Sequence, residues 1–95
     1  MGYVLSPLAR TDLEGIWSYS REQWGVDQAE RYLRDIQRGI ESVAGNPRRG
    51  RTCDDIRSGY FKLAVGSHLV FYRQAGTDID VVRILRQRMD FNRHL

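Results

Sequence analysis

Apolar residues in the N-terminal part of the chain fall in a helical row. Ala9, Leu13, Ile16, Trp17, Ser20 and Trp24 are spaced by four, three, one, three and four, which lays one stripe along an α-helix. Arg10, Asp12, Glu14, Arg21 and Glu22 occupy the opposite face and are expected to point to water. Ser6 followed by Pro7 predicts the helix start, because a serine hydroxyl caps free amides and proline tolerates the first helical position. The helix is expected to run to about Trp24 and to end at Gly25 in a left-handed cap.

A second row follows at once. Ala29, Leu33, Ile36, Ile40 and Val43 repeat at four, three, four and three, with Arg31, Arg34, Asp35, Arg38 and Glu41 on the other face. Asp27 and Glu30 form a capping-box-like pair at its start. Gly45, Asn46 and Pro47 predict its end near Ala44. Two helices joined so tightly are expected to lie antiparallel as a hairpin. Gly15 and Gly39 interrupt them at about 1 kcal/mol each relative to alanine, and close approach of the two helices is the expected reason.

The period then changes. From Ser58 to Arg88 three β-prone runs are separated by two tight turns. Tyr60 to Val65 and His68 to Tyr72 are divided only by Gly66 and Ser67, a Gly-first pair suited to a two-residue hairpin. Ala75, Gly76, Thr77 and Asp78 return the chain into Ile79 to Leu85, rich in Val and Ile. Phe61, Leu63, Leu69 and Phe71 are the expected core positions. Because Val70 and Tyr72 make the alternate face apolar too, that face is expected to be partly covered or to bind something. Tyr3 to Leu5 predict a short extra strand of the same sheet. The loop from Asn46 to Asp55 reads as a solvated connection, in which Asp54 and Asp55 pair with Arg48, Arg49 or Arg51. After Leu85 a tail anchored by Met89 and Phe91 is expected.

The pattern as a whole predicts an α+β fold, with a short N-terminal strand and an antiparallel helical hairpin packed on a C-terminal antiparallel β-meander, in a single domain over residues 1–95. Composition adds a charge statement. The chain carries 15 basic against 12 acidic residues, a net charge of +3, and Lys62 is its only lysine. Arginine's planar fork suits carboxylates and phosphates, so the bias points to an anionic partner or simply to a soluble basic surface. With one cysteine, Cys53, neither an internal disulfide nor a thiolate zinc site is expected. MGYVLSPLAR lacks the layout of a signal peptide and no run approaches the length of a membrane span, which makes the cytoplasm the expected location.

Catalytic groups are sparse. His68 and His94 lack a partner at metal-ligand spacing and read as surface histidines. No phosphate-binding glycine loop or nucleophile elbow occurs, and no cofactor or metal is expected. The remaining constellation is a set of arginines: Arg73, Arg83 and Arg86, with Arg88 just beyond and Lys62 on a neighbouring strand. Gathered on one part of the sheet they would bind an anion, yet arginine is a poor proton acceptor. Pairing with Asp78, Asp80 or Asp90 is the alternative.

Taken in order, LSPLARTDLEGIWSYSREQWG, Asn46-Pro47, Gly50-Arg51, IRSGYFKLAVGSHLVFYR, VVRILRQRMD and the closing His94-Leu95 resemble the ParE toxins of the RelE/ParE toxin–antitoxin superfamily. The resemblance covers nearly the whole chain and implies the same α+β fold. It also implies neutralisation by a ParD-like antitoxin, whose ribbon-helix-helix part binds operator DNA, and DNA gyrase as target. On that reading the contact candidates are Arg73, Arg83, Arg86 and Arg88, with no catalytic residue. Two departures argue against the RNA cleavage of RelE-like relatives: Arg86 stands where ParE-like sequences often have histidine, and the tail carries Phe91 where the ribonucleases commonly have tyrosine. Two alternatives stay open. One is a ribosome-dependent mRNA endonuclease using Lys62, Arg73 and Arg83 with His68 or His94 as base; the other is a degenerate toxin acting only through its antitoxin.

Overall fold

The computed structural model describes residues 2–88 and Leu95; the expected anchors Met89 and Phe91, and also Asp90 and His94, lie outside the described residues. Strand β1 (Tyr3–Leu5) leads into helix α1 (Pro7–Trp24), which is followed by helix α2 (Val26–Gly45). A 3-10 turn at Pro47–Arg49 and the two-residue strand β2 (Arg51–Thr52) precede the meander β3 (Phe61–Val65), β4 (His68–Ala75) and β5 (Asp78–Arg86). The five strands form one sheet in the order β1-β5-β4-β3-β2. β1 runs parallel to β5, and the other pairings are antiparallel.

The punctuation works largely as the sequence predicts. Ser6 caps α1, its Oγ accepting the Ala9 amide at 3.0 Å. The same hydroxyl donates to the Val82 carbonyl at 2.7 Å and so ties the helix start to β5. Gly66 and Gly76 adopt φ of 56° and 65° at the two hairpin turns, where a Cβ would be strained. Gly25 takes φ 89° between the helices. The Asp27 capping box does not form: Gly25 itself is the N-cap of α2, without a side-chain bond, because the helix begins two residues earlier than that pair requires.

Two apolar layers sandwich the sheet. On the helix side Ile36, Ile40, Val43, Val70, Tyr72, Ile79, Val81 and Ile84 form the main core, with Phe61, Leu63 and Val65 packed against it. The four expected core residues do not share this face. A two-residue turn pairs Val65 with His68 and Leu63 with Val70, so odd positions of β3 face the same way as even positions of β4. Leu69 and Phe71 therefore lie on the far face, in a second cluster with Cys53 and Leu85 that Ile56, Tyr60 and Leu95 cover. Each such fully buried side chain contributes about 1.5–3 kcal/mol.

That second cluster corrects the reading of Asn46 to Asp55 as a solvated connection. Cys53 is fully buried, and the Tyr72 hydroxyl donates to the Pro47 carbonyl at 2.6 Å while accepting the Gly50 amide at 3.0 Å. Asp54 accepts the Gly59 amide at 2.9 Å, and among the described residues no ion pair joins Asp54 or Asp55 to the neighbouring arginines. The glycine expectation is also corrected. A Cβ on Gly39 would sit 2.8 Å from Val65 Cγ2, whereas one on Gly15 would meet nothing within 4 Å. Gly39 serves helix-to-sheet packing, and helix approach explains neither residue.

Candidate functional site

β1 pairs with β5 only from Ile79 to Val81. Beyond that point α1 crosses the free edge of β5, and a cleft of about 480 Å³ opens beside their contact. Its walls come from four places: Asp12, Ile16 and Tyr19 of α1, Tyr32 of α2, the Ser67-His68 turn, and Arg83 to Arg86 of β5. Gly15 also lines it, so the open space beside that residue is the cleft itself. The site exists because the sheet edge is uncovered there and the helix carries small or aromatic residues towards it.

Asp12 closes one end. Its carboxylate accepts Nε and Nη2 of Arg83 at 2.8 and 2.9 Å, and the Ile84 amide at 2.9 Å. The two side chains are only 12% and 15% exposed, which corrects the expectation that Asp12 points to water. A largely buried aspartate with three donors is a structural clamp, and the Arg83 guanidinium has its pKa raised, chiefly by the hydrogen bond to Asp12. The clamp supplies an amide of the uncovered sheet edge with an acceptor.

Tyr32 and His68 close the other end. The Tyr32 hydroxyl lies 2.6 Å from His68 Nδ1, accepts the Ser67 amide at 3.1 Å and stands 3.2 Å from the Val65 carbonyl. His68 is 9% exposed, so the surface-histidine reading is corrected. Burial pushes its pKa down and the Arg86 charge adds to this, with Asp12 opposing. The ring is held neutral by its surroundings. No motif at sequence level marks this pair, since Tyr32 and His68 meet only through the packing of α2 against the β3–β4 turn.

Arg86 and the aromatic residues form the rim. Arg86 pairs across the strands with His68, and its guanidinium lies 4.7 Å from the centre of the Tyr19 ring. Tyr19 in turn meets Trp24 edge to face at 6.1 Å. Trp24, the last residue of α1, is 56% exposed, although its place in the apolar row predicts a buried residue. Arg88 is exposed beside Arg86 at the end of β5.

The predicted arginines thus divide. Arg86 and Arg88 stand together, and Arg83 lies within the cleft but is held by Asp12. Arg73 is at the other end of β4, bonded to Asp80 at 3.4 Å; it stands five positions from His68, about 17 Å of strand. Lys62 lines a different groove, of about 610 Å³, with Arg49 and Arg51. A single basic cluster of Arg73, Arg83, Arg86 and Lys62 is therefore not assembled. Among the described residues no group of three His, Cys, Asp or Glu could hold a metal ion, and no helix is long and apolar enough to cross a membrane.

Comparison with known proteins identifies a family. Residues 3–91 match the family model described as the ParE toxin of the type II toxin–antitoxin system, parDE. The chain is 57% identical over 94 residues to toxin ParE1 of Mycobacterium tuberculosis, covering 98% of this chain and 96% of the relative. It is 44% identical to toxin ParE1 of Caulobacter vibrioides, with the same coverage of both chains, and 33% identical to toxin ParE of Escherichia coli over 93% and 86%. A solved structure titled as the chromosomal ParDE TA system from P. aeruginosa superposes with a TM-score of 0.78 at 20% identity, covering 90% of this chain and 95% of that one. The likeness extends the shared fold beyond what sequence identity alone would carry.

Proposed function

The chain belongs to the ParE toxins of type II toxin–antitoxin systems, and from that premise we propose that it halts growth by binding DNA gyrase and is neutralised by a ParD-like antitoxin. On this reading it works in the cytoplasm as a single toxin domain, needs no cofactor, and meets operator DNA only through the antitoxin. The supporting observation is the rim formed by Arg86, Arg88, Tyr19 and Trp24. Exposed aromatics beside arginines are the residue types that dominate protein interfaces. The E. coli relative, toxin ParE, belongs to the same family.

Binding accounts for the site better than catalysis does. A ribonuclease needs a proton acceptor beside a phosphate-binding cluster. Asp12, the acid lining the cleft, is saturated by Arg83 and Ile84, and His68 has its Nδ1 against Tyr32. Lys62 and Arg73, which an endonuclease would join to Arg83, stand apart from it. Binding candidates accordingly narrow to Arg86 and Arg88.

The test is a supercoiling assay with purified gyrase and toxin. Loss of supercoiling, or accumulation of cleaved DNA, with at least a tenfold weaker effect for Arg86→Ala, is the expected result. Normal gyrase turnover at saturating toxin overturns the proposal. Cleaved transcripts after induction would establish the endonuclease instead, and unaffected growth without antitoxin would establish a degenerate toxin.

A further inference from the structure

The His68–Arg86 corner has the composition of a carboxylate receptor. Two neighbouring strand positions bring a guanidinium and an imidazole to one wall of the cleft. Asp12, the acid lining that cleft, spends its charge on Arg83. Arg86 has only the face of Tyr19 as a partner among the described residues, and a cation stacked on a ring retains its in-plane N–H donors for a carboxylate. Beyond Asp12 no acid of α1, α2 or β5 lines this cleft, so Arg86 has no carboxylate partner among the described residues.

Tyr32 supplies the second requirement, which is a ring of fixed orientation. With its hydroxyl 2.6 Å from Nδ1, it leaves Nε2 as the ring nitrogen without a partner among the described residues. A carboxylate at Nε2 calls for the proton there, and Nδ1 then accepts the Tyr32 O–H, which turns to it from the Val65 carbonyl; this tautomer is reached without moving a heavy atom. Ile16, Tyr19 and Trp24 beside the corner offer apolar and aromatic surface to the residues flanking the acid.

We propose that the cleft receives an acidic side chain of the antitoxin, an Asp or Glu flanked by apolar residues, with its carboxylate shared between Arg86 and His68 Nε2. This inference rests on the reading that a ParD-like antitoxin binds the chain, and it adds the chemistry of one contact. An anion in the corner offsets the Arg86 charge that disfavours the imidazolium, so the His68 pKa rises when the complex forms.

Titration calorimetry with a purified ParD-like antitoxin, together with NMR of the His68 ring, tests it. Arg86→Gln is expected to weaken binding ten- to a hundredfold, Arg73→Gln to leave it within twofold, and the His68 titration to move upward on binding to the unaltered chain. Three results overturn the inference while leaving the antitoxin reading intact: Arg86→Gln binding within twofold of the unaltered chain, Arg73→Gln weakening binding as much as Arg86→Gln, or an unmoved His68 titration in a tight complex. Absence of binding to the unaltered chain overturns the antitoxin reading and this inference with it. Arg86 is exposed, so its substitution does not threaten folding.

Discussion

Asp12 of α1 holds Arg83 of β5 through two hydrogen bonds of 2.8 and 2.9 Å and caps the next amide, that of Ile84, with the same carboxylate. One acid thereby fixes the distance between the helix and the uncovered part of the sheet edge. The width of the cleft depends on it.

Asp12→Ala is expected to lower stability by about 3 kcal/mol, because it removes two bonds to a nearly buried guanidinium and the acceptor of the Ile84 amide at once. Asp12→Asn keeps an acceptor of the same shape and should fall between. Denaturant unfolding measures both, and a loss below about 1 kcal/mol for Asp12→Ala would place this pair with ordinary surface salt bridges.

The buried imidazole makes stability depend on pH. Burial and the Arg86 charge hold His68 below the ordinary value of 6.5, so the unfolded chain binds a proton at a higher pH than the folded one. The stabilising contribution is complete above 6.5 and is lost as pH falls through the folded-state value. Unfolding free energies between pH 7 and 5 should fall, and His68→Gln should flatten that part of the profile. Tyr32→Phe removes the hydroxyl from Nδ1 and from the Ser67 amide, and should cost about 1–2 kcal/mol.

Two helical glycines should respond in opposite directions to the same substitution. Gly15→Ala gains about 1 kcal/mol of helix stability because its Cβ enters open space. Gly39→Ala drives a Cβ to 2.8 Å from the branched Val65 side chain and 3.2 Å from Leu63, and overpacking of about 1–3 kcal/mol outweighs the helical gain. Thermal melts of the two variants read the sign directly.

Cys53 should resist thiol reagents in the folded protein. It is fully buried, and burial also pushes its pKa up, with Lys62 acting the other way, so little reactive thiolate is present. Labelling with a disulfide reagent should proceed at the rate of opening and become fast in denaturant. Rapid labelling under native conditions would show that the layer of Ile56, Tyr60 and Leu95 does not close over the far face.

Local patterns carried much of the architecture. The apolar rows of residues 9–24 and 29–43, the Ser6-Pro7 start, Gly25, and the glycines of both hairpin turns act through neighbours a few residues away. The order of elements and the α+β class were therefore legible in the sequence, as was the need to cover both faces of the meander, although Leu69 and Phe71, not Val70 and Tyr72, line the face away from the helices. Relations between distant residues were not. Asp12 sits on a face that periodicity assigns to water, and only β5, lying beneath that part of α1, turns it into a clamp. His68 looks isolated until α2 brings Tyr32 to it. The arginines of β4 and β5 appear as one set in the sequence, yet strand direction puts Arg73 and Arg86 at opposite ends of a hairpin, and Asp12 neutralises Arg83 between them. A sequence specifies which side chains share a helix face or a strand; which charges survive unpaired on the surface is decided by pairings that span 71 residues, and those exist only once the chain has folded.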